Sequence, residues 1–163
     1  MKYKVKTVTS INDFIERNKP YVVPQVGGMI NVPETFTFLD KNSIEDTPKE
    51  VEVFIFEITQ EMGNPIHTKR VFDFFKENGW RAGTYSELLG IVEQYPNVWN
   101  KYFALSAVGT IFEHIDGYSI LTVGKHPLDG KYIMLNQIDV GWFPSSKKAK
   151  RGFICVNTKT SLS

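Results

Sequence analysis

Apolar residues recur at helical spacing in two adjacent stretches and alternate along several others. Val71, Phe72, Phe74 and Phe75 predict one helix that starts behind Asn64-Pro65, an N-cap followed by Pro at the first helical position, and runs to Asn78. Gly79 is placed to close it in the left-handed conformation. A second helix opens at Thr84-Tyr85-Ser86-Glu87, a capping box in which hydroxyl and carboxylate each bond the other residue's backbone N–H. Leu88, Leu89, Val92 and Tyr95 give it an apolar stripe, and Pro96 is expected to stop it. Gly90 inside this helix costs up to ~1 kcal/mol relative to Ala, which a close approach by a neighbouring backbone would explain. Trp80 and Arg81 fall in the short loop between the helices. Trp80 and Trp99 are expected to pack into the core.

Strand patterns surround the helices. Residues 51–58 are rich in β-branched and aromatic side chains, with Val51, Val53 and Ile55 on one face and Phe54, Phe56 and Ile58 on the other. Both faces are therefore expected to be covered. Residues 103–112, 118–123, 131–138 and 152–156 follow as strands, with hairpin signals at Asp116-Gly117 and Asp129-Gly130. Before residue 51 the pattern is weaker. Residues 2–8 alternate as an edge strand, Ser10 opens a short helix ending at Asn18-Lys19-Pro20, and residues 35–39 alternate again. Pro24, Gly27, Gly28 and Pro33 break the chain between. A strand, two helices and an antiparallel meander argue for an α+β fold. The expected division is an extension over 1–46, packing on or beside a domain over 47–163.

Composition narrows the function classes. In 163 residues, 42% are hydrophobic and the net charge is +1. That supports one folded domain and argues against strong non-specific nucleic-acid binding. The single cysteine, Cys155, cannot form a disulfide within the chain and sits in an apolar run. It is expected to be a buried small hydrophobe in a reduced, cytoplasmic protein. No apolar run follows Lys2 and Lys4, so no secretory signal is expected, and no stretch reaches the ~20 apolar residues of a membrane span. No membrane partner and no cofactor are expected.

Candidate chemistry is sparse. His67, His114 and His126 lack the short spacings of a metal site and read as surface or turn histidines. No Gly-x-Ser-x-Gly elbow supports a nucleophilic serine, and no Gly-Lys-Ser/Thr follows Gly27-Gly28. Two features remain. Trp142-Phe143-Pro144-Ser145-Ser146 combines large aromatics with turn formers, so its rings are either core anchors or rigid contacts at a recognition surface, Trp142 being the better core candidate. Lys147-Lys148-Ala149-Lys150-Arg151 is the one charge cluster, read first as a solvated loop.

Residues 79–88, Gly-Trp-Arg-Ala-Gly-Thr-Tyr-Ser-Glu-Leu, resemble a signature of bacterial C-type-lectin-like domains, those of the formylglycine-generating-enzyme type and the variable proteins diversified by retroelements. The family's Pro in this motif is replaced by Ala82 or Gly83. Residues 131–135, Gly141-Trp142-Phe143 and 151–156 are similar to that family's closing strand, tryptophan loop and last strand. The likeness spans residues 51–157. It implies two helices packed on a small, mainly antiparallel twisted sheet, with ligands met by the last loops. The Glu-Pro-Asn and Trp-Asn-Asp calcium-sugar motifs do not occur, and one cysteine cannot supply the oxygenase members' chemistry. The resemblance therefore implies a calcium-independent, non-enzymatic module for a protein or other macromolecular ligand. Its surface over residues 136–150 would use Asn136, Gln137, Asp139, Trp142, Phe143, Ser145 and Lys147. Two alternatives stand beside it. One is a small enzyme with His114 as base, oriented by Glu113 or Asp116. The other is a nucleic-acid binder using Lys147–Arg151, which the near-zero net charge disfavours.

Overall fold

The computed structural model describes residues 1–23, 37–38, 47–63, 65–114, 117–137 and 142–158. The protein is α+β. Its strands are β1 (Lys2–Lys6), β2 (Tyr21–Val22), β3 (Thr37–Phe38), β4 (Glu50–Glu57), β5 (Trp80–Ala82), β6 (Ala104–His114), β7 (Gly117–His126), β8 (Gly130–Gln137) and β9 (Arg151–Asn157). Its helices are α1 (Ile11–Asn18), α2 (Thr68–Glu77), α3 (Tyr85–Gln94) and α4 (Pro96–Lys101), with one 3-10 turn at Gln60–Met62. All the strands join a single sheet of order β1-β4-β9-β6-β7-β8-β2, with β3 added to β6 and β5 added to β9. Pairing is antiparallel except for β2–β8 and β6–β9.

Alternation along β4 sends its two faces into two cores. Val53 is fully buried with Leu88, Ile91, Trp99 and Phe14 beneath α1, α3 and α4. Phe54 and Phe56 turn the other way, onto α2, where Phe74, Phe75 and Trp80 meet them at ring-centroid distances of 4.9 to 6.2 Å and Phe153 meets Phe75 at 5.9 Å. The helices thus cover both faces of the sheet, and the residues before 24 belong to it. β1 is its edge strand, and Phe14 of α1 stacks on Trp99 at 5.5 Å.

Three local expectations change. The helix placed behind Asn64-Pro65 begins at Thr68, with His67 as an N-cap that makes no side-chain bond. Ile66 instead exchanges two backbone hydrogen bonds of 2.7 Å with Trp142, which holds the chain extended ahead of the helix; Asn64 lies outside the described residues. The loop at Trp80 and Arg81 is strand β5, because β9 offers it a free ladder edge at residues 155–157. Pro96 ends α3 yet starts α4, where its fixed φ suits the first helical turn. Among the described residues there are accordingly four α-helices, where three were expected.

The capping box at Thr84 forms as read, with both reciprocal bonds present. Gly90 also has its reason. A Cβ there would lie 2.6 Å from the carbonyl oxygen of Lys6. One turn later the Gln94 amide bonds both the N–H and the C=O of Lys6, at 2.8 and 2.6 Å, so a side chain completes the open edge of β1. Helix propensity alone predicts that Gly90→Ala stabilises by up to ~1 kcal/mol. The backbone contact reverses the sign, and a net loss of about 1 kcal/mol or more is expected by urea denaturation, since overpacking costs ~1–3 kcal/mol.

Helix α1 is fastened to α3 by a two-pronged pair, Arg17 Nε and Nη2 donating to Glu93 at 2.7 and 2.9 Å, with Asn18 adding a bond of 3.2 Å. The Arg17 hydrogen bond holds the Glu93 carboxyl below its ordinary range. A depressed carboxyl contributes stability above its unfolded pKa, near 4.3, and loses it as pH falls through the folded value. Acid unfolding monitored by circular dichroism should therefore be shallower in this window for Glu93→Gln than for the wild type. The difference should be small, because Arg17 is half exposed.

Candidate functional site

The chain between β8 and β9 links the two ends of the sheet. Asn136 lies near the C-terminal end of β8 and donates 2.7 Å to Thr122 Oγ1, which in turn shares a 2.8 Å bond with Ser106. This polar row spans three strands, so Asn136 is engaged within the sheet. Gln137 ends β8 opposite Ser119; its side chain, and the whole of Asp139, lie outside the described residues. Trp142 is half-buried, its ring set against Phe153 at 5.2 Å and its Nε1 donating 3.1 Å to Thr68. It anchors the loop to the α2 side of the core. Phe143, next to it, is 57% exposed.

The loop then closes on itself. Ser145 N–H donates to Ile58 O, and Ser145 Oγ accepts the Arg151 N–H at 3.1 Å. Ser146 N–H donates to Ala149 O, and Ser146 Oγ accepts from Ala149 N–H. This turn lifts Lys147 and Lys148 into solvent at its tip. Arg151 folds back, donating to Pro144 O at 3.2 Å while its guanidinium lies 5.0 Å over the Phe103 ring.

Lys147 and Asn136 are not brought together. Asn136 is roughly 20 Å along β8 from the strand's start, at about 3.3 Å per residue. Lys147 stands at that start. There the tip faces the α4–β6 connection and the β7–β8 hairpin across a groove of about 370 Å³ lined by Asn100, Lys101, Tyr102, Phe103, Lys125, Pro127, Lys147, Lys148 and Lys150. Five of these residues are lysines and none is a carboxylate. None of the five makes an ion pair among the described residues. Lys125 also sits directly opposite Lys131 in the β7–β8 ladder, a like-charge pairing that costs stability. Lys131 is drawn over the Trp99 ring at 4.9 Å.

The floor of this groove is tied by hydrogen bonds. Tyr102 donates 3.0 Å to Glu57, and burial first, then that bond, pushes its hydroxyl pKa up. Tyr132 donates 2.6 Å to Phe103 O, and burial raises its pKa to about 12. Neither phenol is poised to ionise near neutrality. Cys155 is buried and its thiol pKa is pushed up in the same way, so it makes no nucleophile. Glu113 and His114 lie at the other end of β6, paired with Tyr118 and Gly117; their side chains and Asp116 are outside the described residues. Among the described residues no group of three or more His, Cys, Asp or Glu is placed to hold a metal, and no helix is long and apolar enough to cross a membrane.

Sequence reading saw only the 147–151 part of this groove. Lys101 and Lys125 arrive from a helix end and a hairpin that no local pattern connects to it. The fold and groove define an α+β protein with a cationic pole. No family model, no curated protein and no solved structure matches the chain.

The two aromatics at the loop's start should separate cleanly. Trp142→Ala removes a half-buried ring and is expected to cost ~2–4 kcal/mol, at or below the usual range for a buried aromatic. Phe143→Ala should stay within about 0.5 kcal/mol. Parallel urea denaturation curves check both.

Proposed function

We propose that the protein is a non-enzymatic, calcium-independent binding module that recognises a polyanionic macromolecule through its lysine-lined pole. The observation that carries this is five lysines from three separate segments around one groove, with no carboxylate among its described lining residues. Such a concentration raises the local potential and lengthens the list of favourable anionic contacts, whatever the net charge of the whole chain. Of the residues first assigned to the surface, Lys147 faces this groove and exposed Phe143 lies on the loop leading to it. Trp142 and Ser145 hold that loop in shape. A C-type-lectin-like scaffold is part of the same reading. It is supported by the order β4, α2, α3 and meander, with the closing strand β9 antiparallel to β4. The added α4, the parallel β6–β9 pair and the strands before β4 are features the resemblance did not imply.

Heparin binding across a salt series tests the reading. Exposed charge pairs are worth ~0.2–1 kcal/mol each, so replacing Lys147, Lys148 and Lys150 together by Ala should weaken binding about tenfold or more. A Lys76→Ala control near the C-terminal end of α2, beside the C-terminal end of β9 and so at the opposite end of that strand from Lys150, should leave it unchanged. The triple variant should also unfold at a higher temperature in low salt, because mutual repulsion is relieved. Equal heparin affinity in all three proteins would refute the assignment.

A further inference from the structure

We infer that the cationic pole docks on an anionic lipid bilayer, with Leu128 as the apolar residue that enters it; this rests on the polyanion reading above and names its partner. The β7–β8 hairpin projects beside the groove, and Pro127 on it is part of the groove wall. At its tip Leu128 is 88% exposed, more than any other described large hydrophobic except the terminal Met1. The tip is built to hold it there. His126 Nδ1 accepts the N–H groups of Leu128 and Asp129 at 3.1 and 3.4 Å, which fixes the turn. Gly130 takes a φ of +80°, a conformation that returns the chain into β8 and favours glycine. An apolar side chain is thus presented to solvent by a closed turn, at a cost in hydration that the fold does nothing to relieve.

Pro127, the neighbour of Leu128, lines the groove together with Lys125, Lys147, Lys148 and Lys150, and the tip itself also carries the exposed carboxylate of Asp129, 3.5 Å from His126 Nδ1. An apolar knob beside a lysine cluster that outnumbers this one carboxylate matches the bilayer interface, where acyl chains take the knob and phosphate or carboxylate headgroups take the charges. Lysine stems add to the fit, since they lie along apolar surface while the ammonium reaches the headgroups. A nucleic acid fits less of the site. Single-stranded binders stack bases on open aromatic faces. Of the rings lining this groove, Tyr102 is buried, and Phe103 already carries the Arg151 guanidinium at 5.0 Å and the His126 ring at 5.7 Å. A soluble polyanion or nucleic acid also leaves Leu128 unused.

The test is co-sedimentation of the whole chain with phosphatidylcholine vesicles and with vesicles in which part of that lipid is replaced by phosphatidylserine. Wild type, Leu128→Ser and the triple lysine variant are compared, with circular dichroism to establish that each is folded. A fourth protein, Leu128→Trp, reports insertion by its fluorescence. The wild type should bind the anionic vesicles only, and less as ionic strength rises from about 0.1 M to about 1 M, where screening shortens from ~10 to ~3 Å. Leu128→Ser should lower vesicle partitioning about tenfold while leaving heparin affinity unchanged. The triple lysine variant should lose both. Leu128→Trp emission should shift to the blue with anionic vesicles and not with heparin. Heparin binding without vesicle binding, or vesicle binding indifferent to Leu128→Ser with no blue shift, would overturn the lipid inference and leave the polyanion reading standing. A nucleic acid would then be the partner to titrate. Loss of neither ligand in the triple variant, or binding of neither by the wild type, would overturn both.

Discussion

Gly83 bonds to both of the strands that flank it, at the level of the sheet where they part. Its N–H donates 2.7 Å to Ile154 O in β9, and its C=O accepts 2.8 Å from the Gly109 N–H in β6. β6 and β9 run parallel and in register only from Ala104 to Ser106. Beyond that they diverge, β6 passing through an irregularity between Ala107 and Phe112, and β5 with Gly83 fills the wedge. The fit admits only glycine on both sides. A Cβ on Gly83 would lie 2.5 Å from the Ile154 side chain, and one on Gly109 would lie 2.6 Å from the carbonyls of Ala82 and Gly83. The same residues launch α3. Glu87 is almost wholly buried, and its carboxylate receives Thr84 N–H at 2.8 Å and two prongs from Arg81 at 3.0 and 2.8 Å. A buried carboxylate is tolerable only when so fully satisfied. Strand wedge and helix start are therefore one unit, and the positions of α3, β6 and β9 all follow from it.

That unit also shows what a sequence displays and what it conceals. The Thr84–Glu87 box was legible because it is a four-residue reciprocal bond, complete within its own segment. The hairpins at Gly117 and Gly130, the two-faced β4 and the class α+β were legible for the same reason: periodicity and turn chemistry are local. β5 was not, since three residues carry no period and become a strand only because β9 has an edge to lend. α4 was concealed by Pro96, whose ring ends one helix and suits the start of another. Gly90 announced a close approach without naming Lys6 as its cause, because the two lie eighty-four positions apart.

The candidate site divides along the same line. Residues 136–150 form one stretch of sequence but span two ends of the sheet, with Trp142 pinned between them against Phe153 and Thr68. Nearness in sequence stood in for nearness in space, and the strand length of β8 separates the two. Net charge misled in the opposite sense. A total of +1 averages acidic residues spread over the molecule with lysines gathered at one pole. Lys101, Lys125 and Lys147 are more than twenty positions from one another, so no window of the sequence contains the groove.

Gathering these charges opposes stability, and the fold offers them little relief. Lys125 faces Lys131 across the ladder, Glu57 is engaged by Tyr102, and Asp129 of the same hairpin lies 3.5 Å from His126 Nδ1. The frame beneath them is by contrast fully satisfied: Tyr132 on Phe103 O, Trp99 on Gly124 O, and Phe103 and Ala104 N–H on Lys150 O. This frame keeps the backbone positions of the lysines together at one pole, while their flexible stems let the ammonium groups part in solvent. On the polyanion reading proposed above, an anion bound only by the folded state would stabilise that state and relieve what repulsion remains. Such a pole would favour ligands presenting many charges over those presenting one.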